Sequence, residues 1–409
     1  MMIRVKPILL ILSFLLVSAI TKAQETSKLY DQGKREFKAK KYRKAASTFS
    51  TVVNKSNYYF EAYMYRARSY HALEMEDSAL VDFNTSIKKN GKYLPAYFYR
   101  GLYYFDLKNY EKALTDFNSV LKKKPDYSKG LLYRARTYEI LDKDELAMAD
   151  YTHAIKSGTK NTDIYYGRAL LYKKQGKLKL ADYDLRKVIE SKPNNQQALS
   201  LRGVIEVQRG RYKESFTDLN RAISLDSEDQ LALEARAKAY LETQQLDKAL
   251  VDYNRLVQHF HTRNSEIYIQ RGRLFVSQGL YSKAQKDFSR TLVIDPRNVV
   301  ACTENAKVYM LKNRVQQSVP IATKAIGFDE SYWDAYYTRG RAYFELEKYP
   351  EALKDFEMSI KLNPTADAYY YRGQCRAEKR DVKGACEDLH TAEKMGSKLA
   401  EEELKHVCN

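Results

Sequence analysis

Residues 94–127 read LPAYFYRGLYYFDLKNYEKALTDFNSVLKKKPDY. Apolar and small residues recur here at helix spacing, not at strand spacing. Tyr97, Gly101 and Tyr104 share one stripe, and Ala113, Phe117 and Val120 share a second. Asn109-Tyr110 marks a turn between them, and the second stripe ends before Pro125. Two helices joined by so short a turn run antiparallel. Gly101 and Ala113 are small where the two backbones have to approach.

The stretch is one copy of many. Arg66, Arg100, Arg134, Arg168, Arg202 and Arg236 recur every 34 residues, and Arg271, Arg339 and Arg372 continue the series after small slips. Sixteen residues after each stands an Asp: Asp82, Asp116, Asp150, Asp184, Asp218, Asp252, Asp287, Asp355 and Asp388. With the Arg counted as seventh, units start near 26, 60, 94, 128, 162, 196, 230, 265, 299, 333 and 366, which makes eleven. A period of this length means stacked hairpins, each covering the apolar face of its neighbour.

Large residues at position 4, Gly or Ala at 8, Tyr at 11, Ala at 20, an aromatic at 24 and Pro at 32 resemble the tetratricopeptide family. Tyr97, Gly101, Tyr104, Ala113, Phe117 and Pro125 match all six places, as do Tyr336, Gly340, Tyr343, Ala352, Phe356 and Pro364. The resemblance covers residues 26 to about 398. It implies an all-α, right-handed superhelical solenoid whose first helices line a concave groove. An Ile/Leu/Val stripe at position 28, from Ile87 to Ile360, ends at Glu393. The tail at 399–409 then reads as a capping helix with a polar outer face.

The arginine series invites a phosphate-binding reading, but the first unit (Gln32, Thr48) and the ninth (Asn305, Ile321) lack Arg and Asp together. Joint presence or absence is what a salt bridge between the two helices of one hairpin produces. Such a half-buried pair specifies register more than it adds stability.

Positions 5, 9 and 12 of each first helix share another face. They supply Lys34, Phe37, Arg68, His71, Phe98, Phe105, Arg136, Lys238, Arg273, Lys307, Tyr337, Arg341 and Phe344 as groove residues. Two readings stand side by side: a solvated basic face, or an aromatic and cationic trough for an extended peptide. The Lys/Asn clamp with which some tetratricopeptide proteins hold chaperone tails is absent, because Tyr30 and Lys34, Met64 and Arg68, Phe98 and Leu102 fill its places.

No phosphate loop, nucleophile elbow, zinc helix or Cys-x-x-Cys pair occurs. His259-Phe260-His261 lacks a placed third ligand, so no catalytic residue, cofactor or metal is expected. Cys386 and Cys408 flank the expected Gly396-Ser397 turn symmetrically, which favours a disulfide tying the cap to the array. Cys375 with Cys386 is the competing pairing, and four buried thiols the other alternative.

At the N-terminus, Arg4 and Lys6 precede the apolar run from Ile8 to Ile20 and the small residues around Ala23. This reads as a signal peptide over 1–23, too short to span a bilayer, with no transmembrane segment after its removal. The formal charge of +18 includes Arg4, Lys6 and Lys22, so the mature chain carries about 18 − 3 = +15. The Ala-Gln signal end, Tyr/Lys-rich repeats and cysteine-bearing tail resemble envelope proteins of Bacteroidota-type bacteria. Expected is an exported, non-enzymatic scaffold for protein or peptide partners in periplasm or medium. The alternative is an electrostatic binder of anionic envelope polymer, with nucleic acid less favoured. Pro320 at position 22 of the ninth unit suggests a helix that starts late, capped by Ser318, and a bend over 299–332.

Overall fold

The computed structural model describes residues 6–260 and 264–408, with side chains from Thr21 onward. These residues form helices joined by short turns, in two compact units, Met1–Pro193 and Asn194–Asn409. The first unit holds five hairpins: α1 Lys6–Lys38 with α2 Tyr42–Lys55, α3 Phe60–His71 with α4 Glu76–Lys89, α5 Leu94–Asp106 with α6 Tyr110–Lys123, α7 Ser128–Ile140 with α8 Asp144–Lys156, and α9 Thr162–Lys174 with α10 Leu178–Ser191. The second holds six: α11 Gln196–Gln208 with α12 Tyr212–Leu225, α13 Gln230–Glu242 with α14 Leu246–Phe260, α15 Ser265–Ser277 with α16 Tyr281–Ile294, α17 Val299–Leu311 with α18 Val315–Phe328, α19 Trp333–Glu345 with α20 Tyr349–Leu362, and α21 Ala366–Glu378 with α22 Val382–Lys394. A terminal helix, α23 Lys398–Val407, closes it. This is an all-α solenoid of paired helices with a capping helix.

Each hairpin closes in the same way. Position 15, in the turn after the first helix, takes the left-handed conformation in all eleven, from Lys40 (φ 58°) through Gly176 (φ 71°) to Arg380 (φ 65°). That reversal directs the chain into the second helix without a loop. Positions 8 and 24 then meet across the pair. A Cβ on Gly101 would stand 2.7 Å from the Phe117 ring, and one on Gly272 would stand 2.6 Å from Phe288. The ring lies closer to these glycines than a Cβ would allow without a shift, whereas the hairpins with Ala67 and Phe83, or Ala135 and Tyr151, accommodate alanine at the same place.

Between hairpins the most deeply buried stripe is position 27, as at Val52, Val120, Val188 and Leu256. Position 28, expected to carry it, is only half-buried at Ile87, Ile189 and Ile360. At the end of the array Glu393 is exposed, while Ala400 and Leu404 of α23 pack on Tyr370, Leu389 and Ala392.

The ninth unit corrects the sequence reading. Its second helix starts at Val315, with Arg314 at the N-cap, and Pro320 lies inside it. Ser318 caps nothing and is fully buried. The compact division falls between Pro193 and Asn194, not over 299–332. Among the described residues, no helix is long and apolar enough to cross a membrane.

Candidate functional site

The Arg and Asp series meets across every hairpin that carries it. In each, Nε and Nη2 of the Arg donate to the two oxygens of the Asp, as in Arg100 to Asp116 at 2.8 and 2.7 Å. The closest approaches are 2.6 Å for Arg66–Asp82, Arg134–Asp150 and Arg202–Asp218. They are 2.7 Å for Arg236–Asp252, Arg271–Asp287, Arg339–Asp355 and Arg372–Asp388, and 2.8 Å for Arg168–Asp184. The carboxylates are buried, and burial pushes Asp116, Asp287 and Asp355 upward in spite of the guanidinium beside each. These side chains are occupied by one another.

Sequence reasoning missed the third bond of this ladder. The remaining Nη1 reaches back to position 25 of the preceding hairpin: Arg66 to Ser50 at 3.1 Å, Arg100 to Asn84 at 2.6 Å, Arg134 to Asn118, Arg236 to Asn220 and Arg339 to Thr323. The signal was available, because Ser, Asn or Thr recurs at that place. At the end of the first unit it holds Arg186 instead, a donor with no acceptor to offer, which bonds Asp182 of its own helix at 2.9 Å.

The face built from positions 5, 9 and 12 is less basic than its sequence. Arg136 lies 3.8 Å from Asp163, Arg273 3.0 Å from Glu304, and Lys307 2.6 Å from Asp334. Lys238 meets Glu234 at 2.9 Å, Arg341 meets Glu345 at 3.1 Å, and Lys34 stands 3.7 Å from Asp31. His71 bridges Glu76 and Asp106 at 3.2 and 3.0 Å. Phe98, at 3% exposure, packs in the core with Phe117 and Val120 and reaches the surface only as part of a cleft wall. Phe105 and Phe344 are half-buried, each with its ring edge toward a neighbouring Tyr.

Arg68 differs from the other cations at position 9. Its guanidinium lies over Tyr99 at 3.6 Å, Phe37 at 4.4 Å and Tyr65 at 5.4 Å. Burial pushes its pKa below the usual arginine value, and the rings compensate in part. It opens on a cleft of 500 Å³ lined also by Asp31, Lys34, Arg35, Phe37, Lys38 and Tyr65. A second cleft of 330 Å³ lies over Tyr93, Pro95, Phe98 and Tyr127, and a third of 440 Å³ is lined by Lys307, Met310, Leu311, Tyr337, Thr338 and Arg341.

Cys386 and Cys408 form a disulfide with Cα atoms 5.7 Å apart, and Cys302 and Cys375 are buried thiols. Burial pushes Cys375 up to about 12, which leaves it unreactive. Among the described residues no group of three His, Cys, Asp or Glu could hold a metal, and His261 of the histidine pair lies outside them.

Residues 95–127, 166–229 and 333–365 match family models described as tetratricopeptide repeat. RNA polymerase II-associated protein 3 of Homo sapiens is 29% identical over 106 residues, 26% of this chain and 16% of that protein. DnaJ homolog subfamily C member 7 of Homo sapiens is 28% identical over 103 residues, 24% of this chain and 20% of that protein. The chain thus covers about a fifth or less of these relatives. Among solved structures, a chain of the APC/C hetero-tetramer Cut9–Hcn1 aligns over 94% of this chain and 96% of its own length, with TM-score 0.51 and 14% identity. A tetratricopeptide repeat protein from Parabacteroides merdae aligns over 61% of this chain and 99% of its own, with TM-score 0.49 and 26% identity. The chain is a multi-repeat protein of the tetratricopeptide fold.

Proposed function

We propose that this chain is a non-enzymatic scaffold in the cell envelope, holding protein or extended peptide partners on the face built by its first helices. The observation that supports this reading is the pair of clefts of 500 and 440 Å³, each lined by aromatic rings and cations of those helices. Aromatic and Arg side chains are the residues that dominate binding energy at protein interfaces. Export rests on the segment from Arg4 to Ala23, and the processed chain would begin at Gln24. N-terminal sequencing of the protein from its native source checks this, and a chain that retains residues 8–20 would overturn it.

A second reading draws on one patch. Lys34, Arg35, Lys38, Lys40, Lys41, Arg43 and Lys44 are all exposed around the first turn. Such a cluster attracts anionic polymers, and that attraction weakens steeply with salt. Affinity capture from native envelope extract at low and high salt separates the readings. A small set of proteins retained at high salt supports the scaffold. Capture of polymer or nucleic acid alone, lost at high salt, transfers the function to the basic patch.

A further inference from the structure

The cleft of 440 Å³ in the second unit is lined by Lys307, Met310 and Leu311 from α17, Asn313 from the turn after it, and Tyr337, Thr338, Arg341 and Glu345 from α19. Its charges are already matched. Lys307 Nζ lies 2.6 Å from Asp334 and 3.7 Å from Glu304, and Arg341 Nη2 lies 3.1 Å from Glu345. A carboxylate entering here would find no uncompensated cation and would have to displace Glu345 one for one. The hydrogen bonding is not matched. Arg341 hydrogen-bonds the Tyr337 hydroxyl beside it, but its Nε and Thr338 Oγ1 are shielded from water and have no partner, and Thr338 as a residue is 2% exposed. A buried donor or hydroxyl left unsatisfied costs about 1–3 kcal/mol, so two side by side on one cleft call for an explanation.

We propose that this cleft holds the main chain of an extended, uncharged and apolar peptide segment of a partner protein; the proposal rests on the scaffold reading and says which chemistry one of its clefts recognises. A peptide unit brings one carbonyl and one N–H. The carbonyl accepts from Arg341 Nε, and the N–H donates to the Thr338 hydroxyl. Neighbouring apolar side chains of the segment lie against Tyr337 and the exposed Leu311, with Met310 able to adapt to their shape. Entry requires the Arg341 guanidinium to turn away from the Tyr337 hydroxyl and from Glu345. The Glu345 contact is a single ion pair on an exposed acid, the kind worth at most about 1 kcal/mol. Tyr371, 4.3 Å beneath the guanidinium, keeps the arginine over the cleft while it turns.

The test is fluorescence anisotropy on the full chain with a fluorescein-labelled, blocked peptide, acetyl-Ser-Leu-Val-Leu-Ser-amide. Controls are the same peptide with Glu in place of Leu, and an ester analogue that lacks the central N–H. Expected is saturable binding of the apolar peptide that changes little between low and high salt, with weaker binding of the acidic and ester forms. T338V removes the hydroxyl and keeps the shape, so it should weaken binding roughly five- to tenfold, the value of one hydrogen bond. R341K removes Nε and keeps the charge, and should do the same. Thermal unfolding separates this from a structural role. T338V deletes an unpartnered group, so its Tm should stay level or rise while affinity falls. Tighter, salt-sensitive binding of the acidic peptide would make the cleft an anion site and overturn the proposal. So would unchanged affinity in both variants, or no binding of the apolar peptide at all. If partners survive high salt in the capture experiment while these peptides fail, the scaffold reading stands and only this cleft's assignment is lost.

Discussion

The third and ninth hairpins do the same structural work with different residues. In the third, Arg100 clasps Asp116 and reaches Asn84, and Gly101 lets Phe117 lie flat between the helices. In the ninth, Asn305 and Ile321 replace the ion pair, Ala306 and Ala322 stand in place of glycine and phenylalanine, and Pro320 lies within the second helix. Asn305 Oδ1 and Ser318 Oγ are buried without partners. Yet α17 and α18 pack as a pair, and Cys302, Ala325 and Ala335 bury the junction to the next hairpin. The hairpin therefore depends on small residues at positions 8 and 20 and on the apolar stripe, while the ion pair is a feature added to it.

Four experiments can break or sharpen that contrast, and the largest effect belongs to the third hairpin. Arg100→Met leaves Asp116, only 1% exposed, as an unpaired buried carboxylate. The expected loss is about 3–5 kcal/mol, read as faster hydrogen exchange in α5 and α6. Adding Asp116→Leu should recover most of it, because the isolated charge costs more than the absent pair. If the double variant is as unstable as the single one, the pair itself holds the hairpin together and the contrast fails.

In the ninth hairpin the expected change has the opposite sign. Pro320 is the sixth residue of α18, so it removes the bond to the carbonyl of Gln316 and crowds it. Pro320→Ala should stabilise by up to ~3 kcal/mol in denaturant unfolding. No gain would mean that the surroundings have already relieved the proline.

Much of this was legible in the sequence because it is periodic. Arg100 and Asp116 announce each other at a fixed spacing, and Gly101 with Phe117 does the same. What was hidden depends on the neighbouring hairpin. Lys307 reads as an available cation until α19 brings Asp334 to it, and Arg273 does until α17 brings Glu304. Glu304 has no regular counterpart in the repeat, whereas an acid stands at the place of Asp334 in four other units, Glu61, Asp163, Glu266 and Asp367, and that much could have been read. Phe98 shares a helical face with residues that line clefts, but Phe117, Tyr127 and Tyr133 close around it. Helical spacing gives the direction of a side chain; how deeply it is covered depends on the bulk of the next hairpin. Pro320 misled for a related reason, since proline propensity is local and packing on both sides keeps α18 running through it.

A smaller exchange tests position 20. Ser318 Oγ is buried with no partner where the third hairpin has Ala113, itself fully buried. Ser318→Ala should raise stability by about 1 kcal/mol, and Ala113→Ser should lower it by about 1–3 kcal/mol. Equal effects of one sign would show that the two sites are not equivalent.

The smallest effect is expected from giving the ninth hairpin what it lacks. Asn305→Arg with Ile321→Asp recreates the spacing of sixteen found in the other hairpins. Desolvation of the new charges offsets their attraction, so stability should move by less than about 1 kcal/mol in either direction. Ser289 occupies the place from which the preceding hairpin would offer an acceptor, and Thr323 already accepts from Arg339 at 3.1 Å. The grafted pair should therefore join the ladder, visible as slower hydrogen exchange at the junction of α16 and α17 with little change in overall unfolding. A gain above roughly 2 kcal/mol would reverse the lesson, because the ion pair would then be a main source of hairpin stability and not chiefly a device for register.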